Sequence, residues 1–245
     1  MRRTVKILDI PVDNLTMEGA VERFKYLLGE PGIHTIYTPN AEIMMAAQRE
    51  PDLKAILSEA DMLLPDGAGV VLASKIIRDN LKERVAGYDL TLNCFKLSSK
   101  MNISYFFFGG KPGVAEEAAK KVQTENPDIN IVGIRNGYFS ADEESNIIEQ
   151  INASNPDVLL VALGAPRQEK WIYKNKHRLN AKICIGVGGT FDVLAGRAKR
   201  APVFFQKNGL EWLYRLYKEP WRFIRMLDLP RFILLVTAKK VGLKK

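Results

Sequence analysis

Asp66 is the carboxylate best placed in the sequence for proton transfer. It follows the apolar run Met62-Leu63-Leu64 and stands between Pro65 and Gly67, so it is expected to project from a strand end into a partly desolvated setting suited to a general base. A competing reading makes it a cap for a helix starting near Ala68. Three cations, Arg84, Lys111 and Arg167, lie close to other turn-forming residues and are available to an anionic leaving group. A diphosphate would have to be met by such cations and by backbone dipoles. The chain has no Asp-x-Asp pair, and its two histidines, His34 and His177, lack carboxylate or thiolate neighbours at ligand spacing. No metal site is therefore expected. A Gly-x-Ser-x-Gly elbow and a Cys–His pairing are also absent, which argues against covalent catalysis.

The elements that position these residues follow from periodicity. Short β-branched or aromatic runs at 5–10, 34–37, 62–64, 103–108, 129–134, 158–162 and 183–187 read as strands. Helical patterns occupy 40–49, 68–79, 114–123, 142–153 and 169–177, with a Ser140/Glu143 capping box opening the fourth. Alternation of this kind predicts an α/β fold with a mostly parallel, Rossmann-like sheet flanked by helices. In such a sheet the ligand crevice lies beyond the carboxyl ends of the strands. The segments there are Thr38-Pro39-Asn40, Pro65-Asp66-Gly67, Gly109-Gly110-Lys111-Pro112-Gly113, Asn136-Gly137, Gly164-Ala165-Pro166-Arg167-Gln168-Glu169 and Gly188-Gly189-Thr190-Phe191-Asp192. Any one glycine loop permits a turn and nothing more; six on one edge outline a site. The Gly109 loop, leading into a helix, is suited to cradling a diphosphate. It lacks the Gly-Lys-Ser/Thr ending of a Walker loop, and no Gly-x-Gly-x-x-Gly occurs, which weakens a nicotinamide-dependent reading.

Charge is distributed unevenly. The net charge is +8, yet residues 197–245 hold 13 Lys/Arg against three Asp/Glu, and the preceding 196 residues are slightly acidic. The same tail carries eight of the 22 aromatic residues. Leu210, Leu213, Tyr214 and Tyr217 recur at helical spacing, and Pro220 and Pro230 are read as punctuating short amphipathic helices. Aromatic and basic residues on such helices suit the surface of an anionic bilayer, with packing on the main domain as the plainer alternative. The tail's most apolar run, 232–236, is far below the roughly 18 residues needed to cross hydrocarbon. A catalytic α/β domain over 1–196 followed by a basic, aromatic helical appendage over 197–245 is the expected organisation. Cys94 and Cys184 lie far apart in apolar contexts, so no disulfide is expected, and the few apolar residues between Lys6 and Asp9 are too short for the core of a secretory leader, which is not expected either.

The chain resembles the WecG/TagA/CpsF family of bacterial glycosyltransferases, and TagA-type members most closely. The likeness is carried along nearly the whole chain by Thr38-Pro39-Asn40, Leu64-Pro65-Asp66-Gly67, Arg84-Val85-Ala86-Gly87-Tyr88-Asp89 and Phe107-Phe108-Gly109-Gly110-Lys111-Pro112-Gly113. It continues through Pro156-Asp157, Gly164 with Pro166, Gln168, Glu169 and Trp171, then Gly186 to Asp192, Arg200-Ala201-Pro202, and Gly209-Leu210-Glu211-Trp212 ahead of Glu219-Pro220 and Arg222. The resemblance implies metal-independent, inverting transfer of a UDP-activated sugar to a polyprenyl-diphosphate-linked acceptor at the inner face of the cell membrane, with no cofactor. For TagA-type members it implies UDP-N-acetylmannosamine as donor and undecaprenyl-diphosphate-linked N-acetylglucosamine as acceptor, in wall teichoic acid synthesis. It assigns catalysis to Asp66 and Arg84, with Thr38, Asn40 and Gln168 orienting hydroxyls. Gly109, Gly110, Lys111, Gly137, Gly164, Arg167, Glu169, Gly188, Gly189 and Asp192 are the expected donor-binding set. Arg215, Arg222, Arg225, Trp212 and Trp221 are expected at the membrane and the lipid diphosphate. The alternatives are another UDP-sugar, such as the corresponding uronic acid, and a non-enzymatic nucleotide- or nucleic-acid-binding module; the latter lacks any motif of recognisable spacing. Self-association is left open.

Overall fold

The computed structural model describes residues 2–242. Among them, the strands are β1 (Thr4–Ile7), β2 (Ile10–Asp13), β3 (His34–Tyr37), β4 (Met62–Leu63), β5 (Ser104–Gly109), β6 (Asn130–Arg135), β7 (Val158–Ala162) and β8 (Ile183–Gly186). The α-helices of the main body are α1 (Met17–Gly29), α2 (Ala41–Arg49), α3 (Pro51–Ser58), α4 (Ala68–Ile77), α5 (Gly87–Met101), α6 (Val114–Glu125), α7 (Glu144–Ser154), α8 (Arg167–Asn175) and α9 (Thr190–Leu194). Beyond residue 196 come α10 (Val203–Lys207), α11 (Glu211–Lys218), α12 (Phe223–Met226) and α13 (Asp228–Lys240).

β3 to β8 make a six-stranded, fully parallel sheet in the order β4-β3-β8-β7-β5-β6. Every residue of β5, β7 and β8 is buried, which explains why these strands are continuous apolar runs rather than alternating ones: helices cover both faces. One face packs against α2, α3, α4, α7 and α8, the other against α1, α5, α6 and α9. On the second face Phe95, Phe107 and Phe191 stack in a row, with centroids 5.9 and 4.9 Å apart. Phe191 thereby fixes α9 and the loop that precedes it.

One reading of the sequence is corrected. Residues 5–10 are not one strand but an antiparallel hairpin, with Leu8 and Asp9 at φ 50° and 66° forming the turn. Pro230 follows the break between α12 and α13 at Leu227. It occupies the first turn of α13, where its missing N–H would have no helical partner anyway. This helix buries Phe232 and Val236 completely or nearly so against the hairpin side of the core and packs on α2 and α4. Arg49 grips Asp228 with two bonds of 3.1 and 3.0 Å, and Lys239 reaches Asp9 in the hairpin turn. No helix of the described residues is long and apolar enough to cross a membrane.

Candidate active site

A cleft of about 950 Å³ opens at the carboxyl ends of the sheet strands. The turn after β3 brings Thr38 and Asn40 to it, the turn after β4 brings Asp66, and Arg84 to Tyr88 lead into α5 beside them. Gly164 follows β7, and Gly188, Gly189 and Asp192 follow β8. Residues 197–201 and the α11–α12 region, including Glu211, Trp212, Arg215, Trp221 and Arg225, close the opposite wall. The expected catalytic five, Thr38, Asn40, Asp66, Arg84 and Gln168, all line this one cleft.

The Asp66 carboxylate does not cap α4, whose first turn is preceded by Gly67 without a side-chain bond. One of its oxygens instead accepts from the Gly87 N–H at 3.3 Å, at the start of α5, and the other accepts from Arg84 Nε at 3.3 Å. Asp66 keeps 29% side-chain exposure and Arg84 20%, so both are sheltered yet reachable. Gly87 has a steric reason to be glycine: a Cβ there would lie 2.6 Å from Thr38 Oγ1. Asn40 uses its Oδ1 to cap α2, accepting from the Ile43 N–H at 3.1 Å, which leaves its amide nitrogen for a ligand.

Arg84 also donates from Nη2 to Glu211 of α11 at 2.5 Å. The second Glu211 oxygen lies 3.8 Å from Arg200 Nε. Arg200 in turn makes two 2.6 Å bonds to Asp89 and covers the Tyr88 ring at 4.9 Å. Ion pairing to Asp89 raises the Arg200 pKa further, so this guanidinium is permanently charged.

Gln168 is held from both ends. Its Nε2 donates to Glu169 at 2.9 Å and its Oε1 accepts from the Gly188 N–H at 2.9 Å. Gly186 makes room for it, since a Cβ there would stand 2.8 Å from Nε2. Glu169 is 1% exposed, and burial pushes its carboxyl above the ordinary glutamate value. It thus supports Gln168 from beneath and does not line the cleft.

Several residues of the expected donor-binding set lie elsewhere than in this lining. Gly109, Gly110 and Gly137 pack together at the β5–β7 corner: the Gly110 N–H donates to Ala162 O at 2.9 Å and the Gly137 N–H to Gly110 O at 2.8 Å. A Cβ on Gly109 would fall 2.4 Å from the Ala162 carbonyl carbon, which explains that glycine by close approach. Lys111 is exposed beyond this corner, and Arg167, also exposed, covers the Phe139 ring at 4.9 Å. Of the tail residues, Arg225 pairs with Glu42 at 3.0 Å, Arg215, Trp212 and Trp221 stand at the cleft mouth, and the Arg222 side chain lies outside the described residues. Trp221, Tyr217 and Ile224 are each at least 75% exposed. Among the described residues no three His, Cys, Asp or Glu side chains converge as a metal site would need.

Glu211, Arg200 and Tyr88 were not singled out by the sequence reading as site residues. Each lies inside a motif that carries the family likeness, but the pairing of Arg84 with Glu211, 127 positions away, has no local signature.

The profile of the glycosyl transferase WecG/TagA/CpsF family matches residues 5–245. The chain is similar to proteins named N-acetylglucosaminyldiphosphoundecaprenol N-acetyl-beta-D-mannosaminyltransferase from several bacteria. It is 35% identical to that of Bacillus subtilis strain 168 over 243 residues, covering 99% of this chain and 94% of the relative. With that of Bacillus spizizenii strain W23 it shares 41% identity over 198 residues, 81% of this chain and 76% of the relative. With that of Staphylococcus aureus strain MRSA252 it shares 31% over 243 residues, 98% and 95%.

Proposed function

The chain belongs to the WecG/TagA/CpsF family of glycosyl transferases, and from that premise we propose that it moves N-acetylmannosamine from UDP-N-acetylmannosamine to the 4-hydroxyl of undecaprenyl-diphosphate-linked N-acetylglucosamine. The names of its relatives support the sugar and the acceptor. The observation that carries the chemistry is the Asp66–Arg84 pair, sheltered in the cleft with Thr38, Asn40 and Gln168 around it.

In this reading Asp66 accepts the proton of the acceptor hydroxyl while that oxygen bonds to the anomeric carbon. The bond from that carbon to the diphosphate oxygen breaks on the opposite face, and its electron pair leaves with UDP. One displacement inverts the centre. Arg84 meets the charge that develops on the departing diphosphate, a task for which a planar, permanently charged group is suited, and Arg200 and Arg215 add to the positive wall of the cleft. In this reading the transfer proceeds without a metal, as the family resemblance implies.

The Gly189 N–H, in a turn ordered by Gln168, suits the nucleotide, with Asp192 and Gly164 of the cleft lining as further donor contacts. The exposed Trp221, Tyr217 and Ile224, with Trp212 and the arginines of the appendage, suit attachment to the anionic inner leaflet at about 1 kcal/mol per well-placed cation. Residues 197–245 are on this view the membrane-facing appendage of a catalytic unit spanning 1–196.

The test is acceptor-dependent UDP release with EDTA present, using UDP-N-acetylmannosamine and a short-chain lipid-diphosphate N-acetylglucosamine. The Asp66→Asn variant is expected to lose on the order of 10²-fold or more in kcat while still binding UDP. Turnover abolished by EDTA, or an Asp66→Asn variant that turns over normally, would overturn the assignment.

A further inference from the structure

Nε and Nη2 of Arg84 form one edge of its planar fork, and the structure divides that edge between two carboxylates. Nε goes to Asp66 at 3.3 Å, and Nη2 goes to Glu211 at the tighter distance of 2.5 Å. A guanidinium beside a lone carboxylate prefers to give both donors to it in parallel. Were Arg84 to do so with Asp66, the lone pairs that a base needs would be occupied. Glu211 stands in the way of that outcome.

Its own position is well defined. It sits in the first turn of α11, a favourable place for a negative charge, and its other oxygen faces Arg200, which Asp89 and Tyr88 hold from two further sides.

We propose that Glu211 is a positioning residue: it holds Nη2 of Arg84 and so keeps the guanidinium from closing on Asp66, making the geometry of the reacting pair depend on the seating of α11. The inference rests on the roles proposed above for Asp66 and Arg84. It adds that a residue of the appendage reaches the chemistry through Arg84 without touching substrate itself.

A double-mutant cycle separates this role from simple support of the helix, because contributions that act through one partner are not additive. Alanine is a strong helix former, so Glu211→Ala leaves α11 intact. It is expected to lower kcat about tenfold with the KM for the nucleotide sugar changed less than about threefold, and Glu211→Gln, which retains an acceptor for Nη2, recovers most of the loss. In the Arg84→Lys background, where no fork exists to be held, Glu211→Ala is expected to change kcat less than about twofold.

The same four proteins are titrated with UDP by calorimetry. A shift in Kd of about twofold on Glu211→Ala in the native background, in keeping with the small change expected in KM and absent in the Arg84→Lys background, supports the coupling independently of turnover. Equal effects in both backgrounds, or none in either, would overturn it. Absence of turnover in the native chain with the coupling in Kd intact would count against the proposed reaction alone. Absence of UDP binding by the native chain would overturn both.

Discussion

Phe232→Ala asks what holds the last helix to the body of the protein. Phe232 is fully buried and Val236 is 2% exposed, whereas the ion pairs that accompany them are half in solvent: Arg49, for example, keeps 55% side-chain exposure beside Asp228. Such exposed pairs contribute about 0–1 kcal/mol each. Removing a buried phenylalanine costs about 3–5 kcal/mol, a fifth or more of the roughly 5–15 kcal/mol that a folded domain has in hand. Burial therefore outweighs the ion pairs. At about 2–4 °C per kcal/mol for a chain of this size, Phe232→Ala is expected to lower Tm by on the order of 10 °C. Urea unfolding followed by far-ultraviolet circular dichroism and by tryptophan fluorescence gives the second readout. Trp212 and Trp221 lie in the appendage and Trp171 in α8, so coincident transitions mean that the appendage and the sheet unfold as one. A Tm within about 2 °C of the native protein, or a separate early fluorescence transition in the native protein, would refute the reasoning.

Two further perturbations bear on the floor of the site. Gly186→Ala puts a methyl group 2.8 Å from Gln168 Nε2; displacing that amide breaks its bond to the Gly188 N–H, and kcat is expected to fall at least tenfold with a stability loss of about 1–3 kcal/mol. An unchanged kcat would remove Gln168 from the machinery. Glu169→Gln tests the buried carboxyl. Because its folded-state pKa lies above the ordinary value of 4.5, the folded state binds the extra proton. The stabilisation from Glu169 is then complete below that value and is lost as pH rises through the folded one. The Tm of Glu169→Gln minus that of the native protein should thus be more positive at pH 8 than at pH 4; a difference that does not change with pH would contradict it.

The sheet was legible because burial on both faces leaves a plain mark: Phe106-Phe107-Phe108, Val158 to Ala162 and Ile183 to Gly186 are uninterrupted apolar runs bounded by glycine. The lining of the candidate site was legible because strand ends in a parallel sheet converge, so Thr38, Asp66 and Gly188 had to meet. The hairpin was hidden by chemistry, since its turn uses Leu8 and Asp9 at positive φ rather than the glycine or asparagine that usually announces one. α5 begins at Gly87 with no side-chain cap, and nothing local marks its start. α1 was not read from the sequence, although Thr16 caps it by accepting from the Gly19 N–H at 3.1 Å. Contacts such as Arg84 with Glu211 and Phe232 with the core depend on where the chain returns after more than a hundred residues, which no local period encodes.

The lining of the cleft contains Gly67, Gly87, Gly164, Gly186, Gly188 and Gly189, so much of its floor is main chain. Peptide groups cannot be exchanged by mutation, and at Gly186 and Gly87 even a methyl group is excluded by Gln168 and Thr38. The room for side-chain change lies in the walls, where Tyr88, Trp212 and Arg215 line the cleft. The cleft thus divides into a main-chain floor that leaves little room for change and side-chain walls that leave more.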